Sequence, residues 1–169
     1  MKNIILIGMP ASGKSTVGVI LAKLLGYNFV DTDILLAFSE NRPLNRIITE
    51  DGYDRFIELE GLVGENLKCE KTVVATGGSM VFSEHAMNAL SEHGLVVWLD
   101  TPVEELARRM VGTLLDRGVA TPSKMTLREI FELREPLYRK FAHLRIPCIG
   151  TTELVATVLR DKLLEDKLL

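Results

Sequence analysis

Residues Gly8 to Thr16 read Gly-Met-Pro-Ala-Ser-Gly-Lys-Ser-Thr and fit the phosphate-loop spacing Gly-x-x-x-x-Gly-Lys-Ser. The residue types explain the chemistry. Gly8 and Gly13 allow a tight turn and a close approach of the backbone to a phosphate. Successive N–H groups then form an anion nest at a helix N-terminus, where unpaired donors and the helix dipole favour negative charge. Lys14 adds a full positive charge for the β- and γ-phosphates, and the Ser15 hydroxyl can ligate Mg²⁺. Ala11, Ser12, Gly13, Lys14, Ser15 and Thr16 are therefore the expected nucleotide contacts.

Two other constellations can join that chemistry. In Asp31-Thr32-Asp33, two carboxylates at i and i+2 suit a metal site and a base: one can hold a metal-bound water while the other faces an acceptor hydroxyl. A structural alternative is that Asp33 caps a helix over Ile34 to Phe38. Thr76-Gly77-Gly78-Ser79 carries paired glycines that let a ligand reach the backbone, although a plain tight turn uses them equally well. Arg55, Arg108, Arg109, Arg117 and Arg134 are the candidate cations for a phosphoryl transfer, with a solvated surface as their default fate. His85, His93 and His143 lack metal-ligand spacing.

The elements that must position these groups follow from the apolar runs. Ile4–Ile7, Asn28–Val30, Thr72–Ala75, Leu95–Leu99 and Ile146–Ile149 read as strands, and most are continuous, as in strands buried on both faces. Helical patterns separate them, beginning with Val17, Ile20, Leu21, Leu24 and Leu25 directly after the loop. That alternation implies an α/β fold with a parallel sheet and right-handed crossovers. Residues 40–60 and the stretch 112–125 look less regular, and the latter is a candidate lid beside the site. Thr151 to Leu169 should form a last helix on the sheet.

Bulk properties narrow the function classes. With no repeat or linker, 169 residues fit a single domain. A net charge of −3 argues against a nucleic-acid surface, which is normally basic. Cys69 and Cys148 lack Cys-x-x-Cys spacing and suit buried thiols in a reducing compartment. No charged leader with an apolar core opens the chain, and no apolar run is long enough to span a membrane, so a cytoplasmic location is expected.

Taken together, these motifs resemble the shikimate kinases, of the nucleoside-monophosphate-kinase-like class of P-loop enzymes. The similarity rests on Gly8–Thr16, Asp31-Thr32-Asp33, Phe56 with Glu60, Ala75-Thr76-Gly77-Gly78, Val96-Val97-Trp98-Leu99 and Arg134-Glu135-Pro136-Leu137-Tyr138, in that order along nearly the whole chain. The resemblance implies a three-layer P-loop NTPase fold: a five-stranded parallel sheet in the order 2-3-1-4-5, flanked by helices, with a mobile lid over 112–125 and an acceptor-binding region over 34–61. It implies transfer of the ATP γ-phosphate to the 3-hydroxyl of shikimate with Mg²⁺, a step of aromatic amino-acid biosynthesis. By position, Lys14 would contact the β/γ-phosphates, Ser15 and Asp31 would serve the metal, and Asp33 would bind and orient the acceptor hydroxyl. Gly77, Gly78 and Ser79 would line the acceptor site, Arg134 would pair with the acceptor carboxylate, and Arg108 would stack on the adenine. A monomer with no nucleic-acid or membrane partner is expected.

The chain departs from the family pattern at three places. Ile57 stands where the family has an Arg after the Phe, and Arg55 precedes the Phe instead, about 200° away on a helix. Ser79 replaces a third glycine. The lid Arg falls on Leu115 by spacing, with Arg117 the nearest substitute and so a catalytic candidate. If Arg55 and Arg117 do not swing in, the acceptor could differ from shikimate. A same-fold kinase of another hydroxylated metabolite is the alternative, and a catalytically silent nucleotide-binding regulator the rival from another class.

Overall fold

The computed structural model describes residues 2–110 and 125–168. The proposed lid, apart from Met125, and with it Arg117 and Leu115, lies outside the described residues.

Five strands form one parallel sheet: β1 (Asn3–Ile7), β2 (Asn28–Asp31), β3 (Thr72–Ala75), β4 (Gly94–Asp100) and β5 (Leu144–Pro147), in the order β2-β3-β1-β4-β5. This is the order implied by the resemblance. The continuous apolar runs have a simple cause. Side chains alternate across a strand, so Ile5 and Ile7 enter the core beneath Val74, Val96 and Trp98, while Ile4 and Leu6 enter the opposite core with Val73, Val97 and Leu99. Each such burial contributes about 1.5–3 kcal/mol, so a polar residue on either face would be costly.

Helices α1 (Lys14–Leu25) and α8 (Thr152–Glu165) cover one face; α5 (Glu84–His93) and α7 (Leu127–Phe141) cover the other. The start of α7 is well defined. Thr126 Oγ1 accepts the Glu129 N–H at 3.3 Å, and Glu129 Oε2 accepts the Thr126 N–H at 2.7 Å. This capping box sets the helix that carries Arg134. Between β4 and α7 lies α6 (Val103–Arg109).

Three expectations need correction. Residues 40–60 are mostly helical, since α3 (Leu44–Asp51) and the first part of α4 (Tyr53–Glu65) fall there; with α2 (Thr32–Ser39) they pack Leu36, Ile47, Phe56 and Leu59 into a third core. The stretch reads as irregular because α3 buries Ile47 alone and is bounded by Pro43 and Gly52. The last strand is Leu144–Pro147, not Ile146–Ile149, and Ile149 is 73% exposed beyond it. An edge strand needs little apolar signal, since one flank has no neighbour. Cys69 is half-buried, whereas Cys148 is fully buried as expected. Among the described residues no helix is long and apolar enough to cross a membrane.

Candidate active site

The carboxyl ends of β1, β2 and β3 converge on one cavity, the usual ligand position in an open parallel sheet. After β1 the chain turns through the phosphate loop into α1. Gly13 adopts φ 95° as the N-cap of α1, a conformation that would strain any side chain. The first N–H groups of α1 therefore face the loop without intrahelical partners. Lys14 is buried and donates from Nζ to the carbonyls of Gly8 and Met9, each at 2.9 Å. Burial lowers its pKa to about 8, partly offset by the charge of Asp33.

At the end of β2, Asp31 and Asp33 divide their tasks. Asp31 caps α2 by accepting the Asp33 N–H on Oδ1 at 3.0 Å, and its Oδ2 accepts the Ser15 hydroxyl at 2.6 Å. The cap is thus Asp31, not Asp33, and α2 starts at Thr32. Asp33 lines the cavity. Desolvation, then the neighbouring Asp31, raises its pKa to about 6, against the pull of Lys14. Among the described residues, no cluster of three or more His, Cys, Asp or Glu could hold a metal by itself. The Ser15–Asp31 pair is the type of sparse oxygen donor set that Mg²⁺ uses when substrate phosphates and water complete its shell.

At the end of β3, the Gly77 N–H donates to Thr32 Oγ1 at 3.0 Å, which ties this turn to α2. A Cβ on Gly77 would lie 1.6 Å from Glu60 Oε1 and 2.7 Å from Asp33 Oδ1. The glycine is therefore required by the approach of two carboxyls. Gly78 is wedged between Pro10 and the Arg134 guanidinium, and its carbonyl accepts the Tyr138 hydroxyl at 2.7 Å. Arg134 is 2% exposed. Its charge acts on Tyr53 and Tyr138, and it lies over the Phe82 ring at 5.5 Å.

The resulting cavity, about 310 Å³, brings Ala11, Gly13, Lys14, Ser15, Thr16, Asp33, Gly78, Ser79 and Arg134 together. Ser12 is buried within the same loop. A larger open groove of about 1280 Å³, lined by Lys2, Leu67, Lys68 and Leu168, lies at the opposite ends of the strands. It gathers none of these groups, so the smaller cavity is the candidate site.

Two expected residues stand elsewhere. Arg55 points outward on α4 and pairs with Glu58 at 2.7 Å. Arg108 is largely exposed and pairs with Glu105. Its neighbour Arg109 instead reaches the loop, with Nη1 3.3 Å from the Ala11 carbonyl and 3.4 Å from that of Ser12. Ile57 is half-buried against the third core. Glu60 is the principal site residue outside the expected set. It is 1% exposed, lines the cavity and accepts from the Ser79 hydroxyl at 2.5 Å. Burial, then the charge of Asp33, pushes its pKa up to about 8. The available signal was its position one turn after Phe56, on the buried face of an otherwise charged helix.

Comparison with known proteins agrees with this geometry. The shikimate kinase family profile matches residues 10–163. A shikimate kinase of Persephonella marina is 37% identical over 89% of this chain and 91% of its own length. One from a Nostoc species is 40% identical over 89% of this chain and 83% of its own length. Among solved structures, shikimate kinase from Acinetobacter baumannii in complex with shikimate is similar with a TM-score of 0.90. It is 31% identical, over 100% of this chain and 96% of that one. On the match of profile, relatives and fold together, the chain belongs to the shikimate kinase family.

Proposed function

We propose that the protein is a shikimate kinase, transferring the γ-phosphoryl group of ATP to the 3-hydroxyl of shikimate. One observation carries this reading: Lys14, Asp33 and Arg134 meet in a single cavity at the end of the phosphate loop. A shikimate kinase that is similar over the full chain has been solved with shikimate bound.

Shikimate offers a carboxylate and three hydroxyls, and the cavity offers a matching set. Arg134 pairs with the carboxylate, where a planar guanidinium gives two parallel hydrogen bonds. The turn Gly77-Gly78-Ser79 forms the wall along the ring. Asp33 accepts the hydrogen bond of the attacking hydroxyl. A carboxylate with a raised pKa is a better proton acceptor than an exposed one. As the new O–P bond forms, that proton passes to Asp33, and the bond from the γ-phosphorus to the ADP oxygen breaks. Lys14, released from its loop carbonyls, neutralises charge on the β- and γ-phosphates. Arg109 steadies the loop through Ala11 and Ser12. Ser15 and Asp31 would hold magnesium, which when bound would supply further charge neutralisation for the phosphates. Arg108 remains a candidate for the adenine and Arg117 for the transferred phosphoryl group. The protein acts as a cytoplasmic monomer in this reading, which sedimentation and cell fractionation would check.

A second reading keeps the fold and the nucleotide but changes the acceptor. It is favoured by one observation: Ile57 is apolar where the family keeps an Arg, while Arg55 turns away to Glu58. ATP turnover against a panel of hydroxylated metabolites, with and without carboxylates, separates the two. Shikimate should be the preferred acceptor. Turnover only with an uncharged acceptor would establish the second reading, and no turnover at all a silent nucleotide binder.

A further inference from the structure

Glu60 lines the cavity and is 1% exposed, yet its surroundings do little to support a charge. Oε2 accepts the Ser79 hydroxyl at 2.5 Å, and Oε1 has no hydrogen-bond partner among the described residues. Ile57, one turn earlier on the same side of α4, is apolar. A second carboxyl closes on the same spot. A Cβ on Gly77 would lie 1.6 Å from Glu60 Oε1 and 2.7 Å from Asp33 Oδ1, so the two oxygens crowd one point. A buried carboxylate with one hydrogen bond and a second carboxyl at its side is costly, and such a group takes up a proton instead. Burial, then the charge of Asp33, outweighs the Ser79 hydrogen bond and the pull of Arg134 and Lys14. Tyr53 and Tyr138, the other titratable groups within its field, are held as neutral phenols by burial.

We propose that Glu60 is a positioning residue for the catalytic base: as a neutral acid it carries its proton on Oε1 and donates it in a hydrogen bond to Asp33 Oδ1, which leaves the other oxygen of Asp33 to accept from the attacking hydroxyl. A protonated carboxyl has one O–H to donate and keeps an oxygen to accept. Glu60 uses both, with Oε2 on the Ser79 hydroxyl and the proton at the crowded point beside Gly77. A carboxylate turns easily about its last bond, so a fixed donor on one oxygen decides which oxygen meets the acceptor. Asp31 fixes the Asp33 backbone through its N–H, and Glu60 fixes the side chain. Gly77 leaves the room for this contact, since any side chain there would fill it. The proton stays on Glu60 throughout; the proton of the acceptor hydroxyl passes to Asp33.

This inference rests on the reading of Asp33 as the base of a shikimate kinase. It is tested with wild type, Glu60→Gln and Glu60→Met, each first checked by thermal melting. Glutamine is neutral and keeps a donor; methionine has a similar length and no donor. At pH 7, Glu60→Met should lower kcat about tenfold or more, with the KM for ATP unchanged, and Glu60→Gln should recover most of that loss. Infrared spectroscopy of the protein without substrates should show the carbonyl stretch of a protonated carboxyl at pH 7, and Glu60→Gln should lose it. A loss of kcat in Glu60→Gln as large as in Glu60→Met would show that the charge is needed and would overturn the proposal. So would full kcat in Glu60→Met, or a wild-type spectrum without that band. Where Glu60→Met does not fold, Glu60→Gln decides: a tenfold loss of kcat in it overturns the proposal. Wild-type protein that does not phosphorylate shikimate would overturn the functional reading and the role of Glu60 with it, whereas the infrared band tests the proton on Glu60 by itself.

Discussion

Asp31 caps the helix on which Asp33 stands: its Oδ1 accepts the Asp33 N–H at 3.0 Å, while its Oδ2 takes the Ser15 hydroxyl at 2.6 Å. The relationship separates two roles. Asp31 ends β2, starts α2 and anchors Ser15 at the end of the phosphate loop. Asp33 is thereby free of structural work at its side chain and faces the acceptor cavity.

The first prediction concerns Asp33. Asp33→Asn keeps size and helix tolerance but removes the proton acceptor. Turnover should fall about 100-fold or more, with nucleotide binding and melting temperature nearly unchanged. Kinetics, nucleotide titration and calorimetry check this. Near-normal turnover would assign Asp33 a purely structural role.

Lys14 gives the second. ADP or Mg-ATP should raise the melting temperature of the wild type, since a ligand that binds only the folded state stabilises it by about 2.7 kcal/mol at a hundredfold excess over Kd. Lys14→Ala should lose most of that shift. An equal shift in both proteins would remove Lys14 from the phosphate site.

Glu60 makes stability depend on pH. Its folded pKa, raised from an ordinary 4.5 to about 8 chiefly by burial, means that the folded state holds the proton more tightly than the unfolded chain. The groups facing it are Asp33, Lys14, Arg134 and Ser79, with Tyr53 and Tyr138 also within its field. The stability it contributes is fully present below about pH 4.5 and is lost progressively as pH rises through about 8. Glu60→Gln has no such proton to lose. Its melting temperature should therefore gain on the wild type as pH rises from 5 to 8. A constant difference across that window would show that Glu60 titrates normally.

Ile57 offers a test with opposite signs. Ile57→Arg places a cation one turn from Glu60, which lines the acceptor cavity. For an anionic acceptor the KM should fall, by up to about a hundredfold if a charge-assisted hydrogen bond forms. For an uncharged acceptor the same change should raise the KM, because the cation would be desolvated without a partner. Kinetics with shikimate and with the best uncharged acceptor distinguish these outcomes.

The parts of the molecule that were legible in the sequence share a cause. The phosphate loop is read from residues adjacent in the chain, and its strand–loop–helix setting is local as well. Strands β1, β3 and β4 announce themselves because both of their faces are buried. The obscure parts depend on contacts between distant residues. Helix α3 buries only Ile47 and is held by a small core shared with α2 and α4. The phase of α6 cannot be set to within one residue from a pair of adjacent arginines, so the reach of Arg109 to the phosphate loop became visible only with α6 set against it. Glu60 required knowing that Ser79, nineteen positions later, folds back onto it.

The central claim is tested most directly by incubating the protein with ATP, Mg²⁺ and shikimate and following the products by phosphorus and proton NMR. The account predicts ADP and a shikimate phosphoester in equal amounts, with the new phosphorus coupled to the proton at carbon 3, and no ADP without acceptor beyond a slow background. ADP formation that shikimate does not stimulate, or a phosphoester at another hydroxyl, would contradict it.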